Sequence, residues 1–83
     1  MVKVLYFARL REELGCAAEE VALPPAVGDV RALTMQLAAR GGAWGALATG
    51  FNLRVAVNQQ VADASTPVKS GDEVAFFPPV TGG

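Results

Sequence analysis

Gly71-Asp72-Glu73-Val74-Ala75-Phe76-Phe77-Pro78-Pro79-Val80-Thr81-Gly82-Gly83 packs a turn, a strand and a tail into one stretch. Ser70-Gly71-Asp72 has turn chemistry. Residues 73–77 then alternate, with Val74 and Phe76 on one face and Ala75 and Phe77 on the other, so neither face of this strand is plainly polar. Pro78 and Pro79 hold φ near −65° and favour an extended path away from the fold. Beyond them the chain carries no charge and no bulky group, and it finishes on two glycines and a bare carboxylate. Fully extended at roughly 3.3 Å per residue, Pro78 to Gly83 reaches about 20 Å. Glycine lets surrounding walls approach the backbone closely, as a narrow channel demands. The expectation is a tail built to be threaded into the active site of another protein.

Working back from that strand, residues 53–57 alternate, with Leu53, Val55 and Val57 on one side. Asn58-Gln59-Gln60 reads as a tight turn, and Val61-Ala62 starts the return strand of a hairpin. Residues 63–67 are loop. Towards the N-terminus, residues 2–8 form a strand with Val2, Val4 and Tyr6 on one face and Lys3, Leu5 and Phe7 on the other. The second face leaves Leu5 and Phe7 in need of cover. Residues 9–14 make a brief helix with Gly15 as its C-terminal cap, and residues 20–23 a second strand closed by Pro24-Pro25. The main helix is expected from 28 or 29 to 40, because Val27, Val30, Leu33, Leu37 and Ala38 share one stripe. Gly41-Gly42 stops it. Asp29 and Arg40 suit the two ends of its dipole, although Ala26 is a poor cap and Asp29 sits one turn in. Residues 43–52 read as a connection anchored by Trp44, Leu47 and Phe51. Glu12, Glu13, Glu19 and Glu20 read as a solvated edge. The order of strand, short helix, strand, long helix, hairpin and strand implies one sheet packed on one long helix, an α+β layer arrangement.

Composition narrows function by exclusion. At 83 residues with 52% apolar side chains, the chain makes a single domain. Seven basic and eight acidic residues nearly cancel and form no stripe, which points away from nucleic acid and anionic lipid and towards protein partners. No apolar run approaches the ~20 residues that span a bilayer, and the N-terminus reads as a strand rather than a signal peptide, so a cytoplasmic location is expected. Cys16 is the single cysteine and the chain has no histidine, so no internal disulfide forms and a Cys16 nucleophile lacks its usual base.

Val2-Lys3-Val4-Leu5-Tyr6-Phe7-Ala8 with Arg11-Glu12, then Val55-Ala56-Val57-Asn58-Gln59, then the thirteen residues from Gly71 to Gly83, together resemble the β-grasp, ubiquitin-like sulfur carriers. Within them the resemblance is to the small subunits of molybdopterin synthase. It spans the chain, with the closing stretch the specific part and residues 16–51 matching in pattern alone. It implies an α+β fold of the ubiquitin-like β-grasp kind, a mixed sheet on one long helix, with residues 1–77 as the domain and 78–83 as a flexible, extended Gly-Gly tail. It further implies that an adenylating, E1-like enzyme uses ATP and magnesium to activate the Gly83 carboxylate. A sulfur donor then makes a thiocarboxylate, and the charged tail delivers sulfur to cyclic pyranopterin monophosphate on the large synthase subunit, in a heterotetramer. By the same resemblance, Phe7, Val61 and Phe77 are apolar docking residues and Arg11 is a charged contact with the activating enzyme. Pro78, Pro79, Val80 and Thr81 are likewise implied to bind the partner, and Gly82 belongs with Gly83 to the reacting end. No cofactor is bound by the chain itself.

The chemistry of the residues agrees. An α-carboxylate, with a pKa of about 3.5, is ionised at neutral pH and resists nucleophiles until it is given a leaving group. Nothing here supplies one, since no Lys-Ser or Lys-Thr follows Gly41-Gly42 or Gly45 to make a phosphate loop. Gly83 is then the reacting group, and catalysis belongs to partners. Three alternatives share part of this pattern: a sulfur carrier for thiamin or tRNA thiolation, a ubiquitin-like protein modifier, and a plain binding module.

Overall fold

The computed structural model describes residues 1–49 and 53–78. Strand β1 (Val2–Tyr6) leads into helix α1 (Ala8–Leu14) and strand β2 (Ala18–Val21). Helix α2 (Val30–Ala38), a 3₁₀ turn (Gly42–Gly45) and helix α3 (Ala46–Thr49) follow. The hairpin β3 (Arg54–Val57) and β4 (Gln60–Ala62) precedes the last described strand, β5 (Glu73–Phe77). The sheet runs β2-β1-β5-β3-β4. Its central pair, β1 and β5, is parallel, and the remaining pairings are antiparallel, so the sheet is mixed.

Strand periodicity decides which side faces the core. Val2, Val4 and Tyr6 from β1 and Val74 and Phe76 from β5 are buried, as are Leu33 and Leu37 from α2. The expected face of β1 and the expected helical stripe are therefore the ones in use. The turn at Asn58-Gln59 has positive φ at both residues, 52° and 69°, the pattern whose twist matches a right-twisted hairpin. Gln60 belongs to β4 rather than to the turn. Asn58 also clamps the hairpin to β5. Its N–H donates to the Glu73 carbonyl at 2.7 Å, and its side-chain oxygen accepts from the Glu73 N–H at 3.0 Å.

One expectation fails: no single long helix covers the sheet. α2 has nine residues. Asp29 begins it as a true N-cap, its carboxylate accepting from the Ala32 N–H at 2.8 Å. At the other end the N–H groups of Arg40 and Gly41 reach back three residues, to Leu37 and Ala38, instead of four. Gly41 then takes φ 83° and ends the run. The helical cover is completed by α1, the brief helix expected there, and by the 3₁₀ turn and α3, which lie in the stretch expected as a plain connection. Trp44 and Leu47 anchor this segment as anticipated, Leu47 being buried. Phe51 lies outside the described residues. Gly15 caps α1 with φ 67° and an N–H bond to the Arg11 carbonyl. Strand β2 starts two residues earlier than read, at Ala18.

Candidate functional site: the open face of the sheet

The side of the sheet away from the helices carries the docking candidates, and strand register shows how they are arranged. Leu5 pairs with Ala18 on one side and Ala75 on the other; Ala75 pairs with Ala56, and Ala56 with Val61. These five positions form an unbroken apolar row across all five strands, about 19 Å wide at ~4.8 Å per strand. Val61 closes the row at the β4 edge and is 77% exposed. On one side of this row lies a charged one, with Lys3 in register with both Glu20 and Glu73. On the other side lie Phe7, Phe77 and Arg54. Phe77 pairs with Arg54, and the Phe7 N–H donates to the Phe76 carbonyl at 3.2 Å, which places Phe7 beside Phe77.

Local structure at Phe7 violates two ordinary preferences. Phe7 occupies the N-cap of α1 with no side-chain capping bond, where Ser or Asp would gain about 1 kcal/mol. Ala8 follows with φ 54°, a conformation that costs a side-chain-bearing residue roughly 1–2 kcal/mol. An aromatic ring left 45% exposed at such a position is retained at a stability cost.

Phe7, Val61 and Phe77 thus share one face, while Arg11 sits exposed on α1, in no ion pair among the described residues. Pro78 follows β5 directly and is half-buried. Pro79, Val80, Thr81, Gly82 and Gly83 lie outside the described residues. Arg54, ordinary in the strand pattern, is brought beside this cluster by its register with Phe77.

The opposite side of the sheet holds a polar network that the sequence did not reveal. The Tyr6 hydroxyl donates to Glu19 Oε2 at 2.9 Å, and Arg40 grips both carboxylate oxygens of Glu19 at 2.8 and 2.9 Å. The Arg40 guanidinium also lies 4.4 Å from the centre of the Trp44 ring. Tyr6 meets Trp44 edge-on at 5.3 Å and stacks on Phe76 at 6.1 Å. Glu19 is therefore no member of a solvated edge. The Arg40 bonds hold its carboxyl below the ordinary carboxylate range, while burial, followed by the bond to Glu19, pushes the Tyr6 phenol far up. Asp72 is similarly lowered, by Asn58 first and the Lys69 N–H second. Among the described residues no group of three or more His, Cys, Asp or Glu side chains is placed to hold a metal, and no helix is long and apolar enough to cross a membrane.

A mixed sheet covered by helices on one side and open on the other, with its last described strand, β5, at its centre, defines a ubiquitin-like β-grasp protein. The chain belongs to the ThiS family, which it matches over residues 4–83. It is 46% identical to the molybdopterin synthase sulfur carrier subunit of Escherichia coli, over all of both chains. Among solved structures it resembles small archaeal modifier protein 1 from Haloferax volcanii, with 30% identity, a TM-score of 0.69, and 99% and 98% of the two chains covered. It also resembles a chain in the complex of subunits 1 and 2 of molybdopterin-converting factor from Helicobacter pylori, with 26% identity, a TM-score of 0.63, and 99% and 97% covered.

Proposed function

We propose that this chain is the sulfur-carrier subunit of a molybdopterin synthase, working in the cytoplasm with a large synthase subunit as its partner. The observation that carries the reading is the full-length similarity to the Escherichia coli carrier, which includes the Gly-Gly end. The pairing of subunits in the Helicobacter pylori complex supports a large-subunit partner. Residues 1–77 serve as the docking body and 78–83 as the delivering tail.

In this reading an E1-like enzyme, with ATP and magnesium, converts the Gly83 carboxylate to an acyl-adenylate and releases pyrophosphate. A sulfur donor displaces AMP and leaves a thiocarboxylate. Docked on the large subunit, the tail gives its sulfur to cyclic pyranopterin monophosphate, and two deliveries complete the dithiolene. Phe7, Phe77 and Val61 bind the large subunit through the open face, and Arg11 contacts the activating enzyme. Pro78, Pro79, Val80 and Thr81 carry the end through a channel in which Gly82 leaves room for the walls. Holding Gly83 in a prepared pocket makes the transfer effectively unimolecular.

A second reading, protein modification through Gly83, is favoured by the likeness to small archaeal modifier protein 1. Intact mass after co-expression with the activating enzyme separates the two. A carrier exchanges one terminal oxygen for sulfur and stays a single chain, whereas a modifier appears fused to a target lysine. Deleting Gly83 should abolish either change; retained molybdopterin synthesis by the truncated chain would refute the carrier reading, and retained fusion to a target the modifier reading.

A further inference from the structure

We propose that Arg54 is the charged anchor of the open face, met on docking by a carboxylate side chain of the large synthase subunit. This rests on the docking reading above and adds to it a residue and the chemistry that the partner must supply.

The register puts Arg54 on the same face as Ala56, at the position paired with Phe77. It is exposed and makes no ion pair or side-chain hydrogen bond among the described residues. The other cation of the face is differently placed. Lys3 lies between Glu20 and Glu73 in register, so it has an acid on each side, although no ion pair within 4 Å joins them among the described residues. Arg54 has Phe77 on one side, and on the other the β3–β4 register runs out at Ala62. One step past Ala62 the same register brings Asp63 opposite Arg54, but the Asp63 carboxylate turns to its own loop, its Oδ1 accepting from the N–H and hydroxyl of Ser65 and the hydroxyl of Thr66, and it makes no ion pair with Arg54.

A protein that covers Phe77 also removes water from Arg54. An unpaired guanidinium taken out of water costs more than the apolar contacts around it return, unless an anion replaces the lost solvent. The planar fork of Arg suits a carboxylate through two parallel hydrogen bonds, which fix orientation as well as charge. Such a pair beside the last residue of β5 sets the docking register at the root of the tail, and it disfavours surfaces that present a cation there.

The test measures binding of the full chain to the large subunit of the same organism at low and moderate salt, for wild type, Arg54→Gln and Arg54→Glu. Melting temperatures are recorded alongside. Both variants should melt like wild type. Arg54→Gln should weaken binding by about tenfold or more and show a smaller salt dependence, and Arg54→Glu should weaken it further. A merely structural role would lower the melting temperature and leave the salt dependence alone. Arg54→Gln binding with wild-type affinity and salt dependence overturns the inference while leaving the docking reading intact, and tighter binding by Arg54→Glu overturns it by reversing the sign. Folded wild-type chain that fails to bind the large subunit overturns the docking reading, and this inference with it.

Discussion

Phe76 and Phe77 are neighbours in sequence on opposite faces of β5, so truncating each to alanine should give opposite phenotypes. Phe76 is 3% exposed and stacks on Tyr6. Removing a ring from such a site typically costs about 3–5 kcal/mol, through lost transfer energy and the cavity left behind. At roughly 0.05–0.15 kcal/mol per residue, a chain of this size has only about 4–12 kcal/mol of stability in total. Phe76→Ala should therefore lower the melting temperature by more than about 12 °C, at roughly 4–8 °C per kcal/mol. Once corrected for the folded fraction, its partner binding should stay within about threefold of wild type. Phe77 is half-buried on the open face, where the loss is one of strand preference and partial packing, about 1 kcal/mol. As an aromatic anchor at a docking face it should instead cost about 2 kcal/mol or more of binding, close to thirtyfold in Kd. Thermal and urea melts followed by circular dichroism, together with titration against the large subunit well below both melting temperatures, supply the two readouts. If Phe77→Ala melts as low as Phe76→Ala, or binds like wild type, the assignment of faces to core and docking is wrong.

Acid should expose the Glu19 network. Its folded carboxyl titrates below the ordinary 4.5, because Arg40 donates to it. A depressed folded pKa contributes stability that is present above the unfolded value and is lost as pH falls through the folded one. Urea midpoints taken from neutrality down to about pH 3 should decline below that ordinary value, and Glu19→Gln should flatten the decline; an unchanged acid limb would remove Glu19 as its source. Asp29→Ala should destabilise by about 1 kcal/mol through loss of the α2 cap, and Asp29→Asn by much less, as read from chemical denaturation. Gly71→Ala should cost roughly 1–2 kcal/mol purely through backbone strain, because φ is +94° while nothing lies within 4 Å of an added Cβ. A neutral result there would mean that the turn relaxes. Gly82→Ala should leave the melt unchanged and slow sulfur transfer, with wild-type kinetics counting against the channel.

What could be read from sequence follows the range of the forces involved. Alternation along β1 and β5 is a local property, and it sorted Val4 from Leu5 and Phe76 from Phe77 correctly. Turn and cap chemistry is also local, so Gly15 and the Asn58 turn were legible. The length of α2 was not, because its last turn tightens through three-residue bonds and the Ala- and Gly-rich stretch beyond it carries no stripe to show that it turns helical again. Glu19 and Arg40 stand 21 residues apart and meet only when β2 and the end of α2 are brought together. Arg54 looks like any exposed strand residue until strand pairing sets it beside Phe77.

If residues 78–83 deliver sulfur as proposed, the sheet order gives that delivery a firm root on β5. β5 is hydrogen-bonded on both sides, to β1 and to β3, while β2 and β4 are the edges. A tail leaving an edge strand would start from a backbone held on one side, free to fray with it. Here the last strand residue, Phe77, is held between the exit of β1 at Phe7 and the start of β3 at Arg54. Immediately beneath, on the core face, Phe76 is stacked on Tyr6, which Glu19, Arg40 and Trp44 hold in turn. A partner that grips the open face therefore grips the origin of the tail within one residue of Pro78. Misplacing a reacting group by about 1 Å can cost a hundredfold in rate, so a rigid origin is what such a delivery requires. On the proposed function, the polar network on the hidden face is expected to bear on delivery through the seat of Phe76. Tyr6→Phe should keep the docking affinity and loosen the seat of Phe76, slowing transfer at saturating partner; wild-type rates would show that the strand pairing alone is sufficient.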